Sequence, residues 1–259
     1  MTARVLTMPA TATTLRHRAL WMLLAAVVAL WLWASPASAK IYLVAVGISD
    51  YPGNSNDLRL PAADAKTVSW LYGRNAAASR IVLTDSQATV ANIISAMNSL
   101  FANARADDII VLFFSGHGVK GAFMAYDKRL TYTKIIEAMA KSKARNKIIF
   151  ADACYAGKMR SDSGSAGDGE SAIRNANVML FLSSRSNETS LEKRSMDNGL
   201  FTTYLVRALR GGADTNGDRT ITARELYEYV HKKVIKASGD RQHPVMWGNF
   251  ANTMPVMVW

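Results

Sequence analysis

The 259-residue chain contains one cysteine, Cys154, in the stretch Asp152-Ala153-Cys154-Tyr155-Ala156-Gly157. Upstream stands a glycine-flanked histidine, in Ser115-Gly116-His117-Gly118. A thiol and an imidazole held side by side are the parts of nucleophilic acyl chemistry. The thiolate attacks a carbonyl, and the imidazole supplies a proton to the leaving amine. Glycines beside them let a substrate backbone approach closely. The backbone N–H groups of Gly118 and Cys154 are candidates for an oxyanion hole. Each residue also has a plainer reading. A lone cysteine is often a small buried hydrophobe, and a lone histidine is often a satisfied surface or core residue. A single thiol cannot form a disulfide within the chain, so the fold must stand on its hydrophobic core.

The elements around these two residues give them a common setting. Ile109 to Phe114 (IIVLFF) is a continuous apolar run that leads into His117, and Lys147 to Ala151 (KIIFA) leads into Cys154. Continuous apolar runs of this length mark strands covered on both faces. Ile41 to Gly47 and Val178 to Leu182 read the same way, and Ile81 to Leu83 is a brief strand. Between them lie stretches of helical periodicity: Ala62 to Tyr72, Thr89 to Ala104, Thr131 to Ala140, Phe201 to Leu209 and Glu225 to Ile235. The alternation predicts an α/β fold, a mostly parallel central sheet with helices on both faces. In such sheets ligands gather beyond the carboxyl ends of the strands. Parallel neighbouring strands would bring His117 and Cys154 out on one edge.

Apolar strand, SGHG, apolar strand and DACYAG together resemble the caspase-like cysteine peptidases, and more closely their metacaspase-like bacterial branch. The segments Leu58 to Ala65 (LRLPAADA), Asn198 to Leu209 (NGLFTTYLVRAL) and Arg241 to Gly248 (RQHPVMWG) are similar to other parts of bacterial caspase-family domains. The resemblance implies a caspase-like sandwich over residues 40–259 and a cysteine endopeptidase acting on protein or peptide substrates, with His117 and Cys154 as the catalytic pair. It also implies a primary specificity pocket contributed by Asp64, Ser115 and Asp152. Two carboxylates in one pocket would hold a guanidinium or ammonium, hence cleavage after Arg or Lys. The alternatives are that Asp64 caps the helix that follows it and that Asp152 braces the nucleophile turn. Arg59 pointing inward would instead favour an acidic residue before the cut. A non-catalytic caspase-like binding module is the reading from a different class. The Cys154 neighbourhood departs from the QAC-type motif of animal caspases.

Three other segments carry expectations. Arg4, Arg16, His17 and Arg18 precede an apolar run, Ala19 to Ala34, and then Ala37-Ser38-Ala39. Basic head, greasy core and small-x-small site describe a signal peptide over residues 1–39, which implies export to the periplasm or beyond and no membrane attachment after cleavage. An uncleaved anchor is the alternative. Residues 158–176 are rich in Ser, Gly, Asp and Ala and read as a flexible insert. Similar regions are cut in caspase-like zymogens, and Lys158, Arg160 and Arg174 lie in or beside it. Asp214, Asn216, Asp218, Thr220 and Glu225 have the spacing of an EF-hand loop that could take Ca²⁺, with Arg219 where a glycine belongs. The plainer reading is an Asx-type turn leading into the last helix. No cofactor is required by the thiol chemistry. The net charge of +11 is scattered without dense basic runs, so nucleic acid is not an expected partner.

Overall fold

A computed structural model describes residues 39–75, 77–119, 121–153, 176–184 and 196–258. Cys154, residues 1–38 and residues 158–175 of the insert lie outside the described residues.

The apolar runs become strands, as their burial requires. Strands β1 (Ile41–Gly47), β3 (Ile109–Gly116) and β8 (Val178–Leu182) have every residue buried, and β7 (Asn146–Ala153) all but its first. With β2 (Ala78–Thr84) and β10 (Val245–Gly248) they form a six-stranded sheet, ordered β10-β8-β7-β3-β1-β2. All pairings in it are parallel except β10 against β8.

Successive strand residues point to opposite faces, and each face has its own core. On one face Val44, Val46, Ile110, Leu112, Phe114 and Ile149 pack under α2 (Val90–Phe101) and α3 (Tyr132–Ala140). On the other, Leu43, Ala45, Val111, Phe113, Ile148 and Phe150 meet three helices: α1 (Pro61–Tyr72), α4 (Leu200–Arg207) and α5 (Ala223–Ser238). Thr89 and Thr131 cap α2 and α3 by accepting backbone N–H groups. Thr222 and Glu225 form a reciprocal capping box on α5, which satisfies N–H groups that a helix start leaves unpaired. Among the described residues no helix is long and apolar enough to cross a membrane.

Several elements run longer than their periodicity suggested. β3 continues through Ser115 and Gly116, and β7 through Asp152 and Ala153, because the two strands pair with each other there, Ser115 with Asp152 and Gly116 with Ala153. Two small antiparallel sheets carried no clear signal. One is the meander β4 (Gly118–Val119), β5 (Ala122–Met124) and β6 (Arg129–Thr131). The other pairs β9 (Thr220–Thr222) with β11 (Pro255–Val258). Runs of two to four residues are too short to show a period.

The sheet has a topological switch between β1 and β3: from β1 the chain turns to α1 on one face, and it enters β3 from α2 on the other. Loops leaving two such strands splay apart and open a crevice at their carboxyl ends. His117 follows β3 at that place.

Candidate active site

Register sets the site. In the β3–β7 ladder Ser115 lies opposite Asp152, and Gly116 opposite Ala153. His117 is the next residue of one strand, and Cys154 is the next in sequence after the other.

The loop after β1 is pinned by hydrogen bonds. Ser49 and Asp50 donate backbone N–H groups to Asp85 Oδ1. Ser49 Oγ accepts from Ala62 N, at the start of α1, and Tyr51 N donates to Asp57 Oδ1. This loop presents two groups to His117. The Tyr51 hydroxyl accepts the His117 backbone N–H at 3.0 Å and donates to Met124 O at 3.1 Å. The Tyr51 and His117 rings lie 4.9 Å apart. Burial pushes the Tyr51 phenol up to about 12, with the His117 N–H opposing and Asp85 adding to the rise. The phenol therefore keeps the proton it donates.

The second group is the Asn56 carbonyl oxygen, 2.7 Å from His117 Nε2. A carbonyl can only accept, so Nε2 carries a proton and Nδ1 is left as the basic nitrogen of the neutral ring. A backbone carbonyl has no side-chain signature, so nothing in the residue pattern marks Asn56 as a partner of His117.

Gly116 has φ +153. A β-carbon there would lie 2.7 Å from the Tyr51 hydroxyl oxygen. The glycine before His117 is therefore what lets Tyr51 reach the backbone behind the imidazole.

Asp64, Ser115 and Asp152 come together, from α1, β3 and β7. All are buried, with Asp64 1% and Asp152 6% exposed. Ser115 Oγ donates to Asp64 Oδ2 at 2.8 Å, while Asn198 Nδ2 and Gly199 N donate to Asp64 Oδ1, each at 2.9 Å. Asp152 Oδ2 accepts from the hydroxyl of Thr202 at 2.8 Å and from its N–H at 3.1 Å. The two carboxylates converge beside Gly199. A β-carbon on Gly199 would collide with Asp152 Oδ2 and come within 3.2 Å of Asp64 Oδ2. Burial first, and the nearby Asp152 second, raise the Asp64 carboxyl well above the usual carboxylate range. Like charges brought together out of water cannot both ionise cheaply.

This arrangement corrects one of the plainer expectations. Asp64 is not the helix cap, since α1 has no side-chain cap and Pro61 occupies its first turn. Asp152 braces the start of α4 through Thr202. Arg59 is exposed and donates from Nη2 to Met196 O at 3.1 Å.

Residues 41–253 of the chain match one family model, that of the caspase domain. The chain belongs to the caspase-domain family. That family is one of cysteine peptidases. The caspase-domain fold recurs in a crystal structure of a protein from Geobacter sulfurreducens, with a TM-score of 0.62 at 18% identity. That match covers 84% of this chain and 97% of the other. Caspase-1 from Spodoptera frugiperda matches with a TM-score of 0.60 at 14% identity, over 81% of this chain and 86% of its own. At these identities the likeness is one of fold. No curated protein sequence matches the chain.

Gly118 lies in β4, opposite Phe123. It borders a groove of about 500 Å³ whose lining includes His117, Asn56 and the β5–β6 hairpin. Cys154 lies outside the described residues, as do Lys158, Arg160 and Arg174.

Loop 214–225 has the local turns of an EF-hand. Asp214 accepts from Gly217 N and Arg219 N, Asn216 Oδ1 from Asp218 N, and Asp218 Oδ1 from Thr220 N. Arg219, standing where a glycine belongs, adopts φ +64, and the Asp214 carboxylate accepts its N–H. Glu225 turns its oxygens to Thr215 and Thr222. Among the described residues no three acidic, histidine or cysteine side chains converge as ligands.

Proposed function

We propose that the chain is an exported endopeptidase that hydrolyses peptide bonds after Arg or Lys, using Cys154 and His117. The observation that carries the reading is the register of β3 and β7, with Gly116 opposite Ala153. It supports neighbouring positions for the two reacting groups.

In this reading, Nδ1 of His117 takes the proton of the Cys154 thiol. The thiolate attacks the carbonyl carbon, and its oxygen becomes an anion held by the N–H groups of Gly118 and Cys154. The imidazolium gives its proton to the departing amine, leaving a thioester. A water then loses a proton to Nδ1 and attacks the thioester. The acid product leaves and the thiol regains its proton. The Asn56 carbonyl steadies the ring by accepting from Nε2–H.

Specificity follows from Asp64 and Asp152. Two buried carboxylates facing one space suit the planar donor fork of a guanidinium. Ser115, Asn198, Gly199 and Thr202 hold them in position. No cofactor enters these steps. Calcium stands outside the chemistry, and EDTA is expected to leave hydrolysis unchanged.

Peptidyl-aminocoumarins ending in Arg, Lys or Asp test the reading. Arg and Lys substrates should turn over and Asp should not. Cys154→Ala and His117→Ala should each lower kcat by about 1,000-fold or more. A preference for Asp would point to Arg59 instead. Failure of a peptidyl-Arg ketone to label Cys154 in the folded protein would favour a non-catalytic binding module.

A further inference from the structure

The groove beside His117 is built from both polar and apolar parts. It has a volume of about 500 Å³, and Pro52, Val119, Met124, Tyr126 and Arg129 are among its walls. Met124 and Arg129 are directly opposed across β5 and β6. Opposed residues of an antiparallel pair share a face, so a thioether and a guanidinium look into the groove together. The reverse face carries Phe123 and Leu130, which are buried in the core.

The cations of the rim differ. Lys128 pairs with Asp127 at 3.7 Å, and Asp127 also accepts the first N–H of α2, from Val90. Arg129 is exposed, and among the described residues no carboxylate pairs with it. The groove therefore has an apolar wall and one uncompensated guanidinium.

Its position relative to the reaction is set by the imidazole. Under the peptidase reading, on which this inference rests, the residue before the cut enters the Asp64–Asp152 space. The departing amine must lie within hydrogen-bond reach of His117. Chain continuing from that amine then runs along the His117 side, where the groove lies. We propose that this groove receives the two or three residues that follow the cut bond, seating an apolar side chain against Val119, Met124 and Tyr126 and a carboxylate at Arg129. The enzyme would thus read both sides of the bond: a basic residue before it, and an apolar then acidic pair after it.

Internally quenched peptides with one common half ending in Arg test this. Their second halves carry Leu or Gly first, and then Glu or Lys. A peptidyl-Arg aminocoumarin with the same first half, lacking any residue after the bond, is the reference for each protein. Wild type should favour Leu over Gly by about tenfold in kcat/KM. It should favour Glu over Lys by about threefold at low salt, and salt should erode only the second preference. Arg129→Glu should invert the Glu:Lys ratio, and Met124→Asp should reduce the Leu:Gly ratio. Ratios that neither substitution moves would overturn the proposal.

Absence of turnover on every substrate would instead sink the peptidase reading. The groove is then decided by binding alone: a fluorescent peptide with a free N-terminal Leu followed by Ala and Glu is titrated into Cys154→Ala protein. Binding weakened at least threefold by Arg129→Glu supports the groove assignment, and binding indifferent to it overturns it.

Discussion

The hydroxyl of Tyr51 lies 3.0 Å from the backbone nitrogen of His117 and 3.1 Å from the carbonyl oxygen of Met124. One phenol thus ties the residue that starts the groove to the strand that forms its wall. Its ring also faces the imidazole at 4.9 Å. The orientation of His117 is therefore held from two directions, by Tyr51 behind its backbone and by the Asn56 carbonyl at its ring.

Tyr51→Phe keeps the ring and removes both hydrogen bonds. It should cost about 1–2 kcal/mol of stability, since a buried N–H and a carbonyl lose their partner. For hydrolysis, kcat should fall about tenfold with KM little changed, because the substrate pocket is untouched. Urea denaturation and steady-state kinetics on a peptidyl-Arg substrate check both.

Gly116→Ala should be worse than Tyr51→Phe. The added carbon would meet the Tyr51 hydroxyl at 2.7 Å, at a backbone φ of +153 that side chains rarely adopt. A loss of about 2–3 kcal/mol is expected from strain and the displaced phenol. The double variant Tyr51→Phe with Gly116→Ala should recover part of that loss, and a double-mutant cycle by denaturation measures it.

Gly199→Ala addresses the acid cluster without replacing either acid. The methyl group would occupy the space where the carboxylates of Asp64 and Asp152 converge. Cleavage after Arg should drop by about 100-fold or more, chiefly through KM, and Lys substrates should follow. An unchanged KM for Arg substrates would mean that the guanidinium binds elsewhere.

Asp64 makes a pH prediction. Its carboxyl is raised by burial and then by Asp152, so across the interval between its unfolded and folded values the folded protein holds more protons than the unfolded one. Stability then falls as pH rises through that interval. Asp64→Asn preserves acceptors for Asn198 and Gly199 and removes the charge. It should melt higher than wild type at alkaline pH, with the difference shrinking towards pH 4, while losing activity on Arg substrates. In wild type, a bound guanidinium favours the ionised carboxyl, so KM for Arg substrates should fall as pH rises. Thermal melts and KM measured across pH 5 to 9 decide.

Glu225 behaves in the opposite sense. Burial pushes its carboxyl up, but hydrogen bonds from Thr222 and Thr215 outweigh this and leave it below the usual glutamate range. Stability from the capping box is then present above the unfolded value and lost as pH falls through the lowered one. Glu225→Gln should cost up to about 1 kcal/mol at neutral pH, with the difference vanishing in acid. Addition of millimolar Ca²⁺ should leave the melting temperature of wild type unchanged, because Glu225 is already committed to the helix start.

Much of this protein could be read before any coordinates. IIVLFF and KIIFA are buried strands because an unbroken apolar run can be satisfied only between two covered faces. His117 and the strand-end stretch at Cys154 stood out because a glycine-flanked imidazole and a sole thiol are rare punctuation after such runs. Asp64, Ser115 and Asp152 emerged as a group through likeness to a family pattern, and they do assemble in one buried cluster.

Other features waited for the third dimension. The Asn56 carbonyl and the Tyr51 hydroxyl reach His117 from a loop some 60 residues away (|i−j| of 61 and 66), and a backbone acceptor is the same atom in every residue type. Gly199 matters because two carboxylates from different elements converge on it, a relation with no periodic trace. The groove exists because β5 and β6 fold back beside His117, and strands of three residues are too short to announce themselves. Linear order fixed which residues are chemically able to act. Packing of distant segments decided which nitrogen of the imidazole holds its proton and which acids share a space.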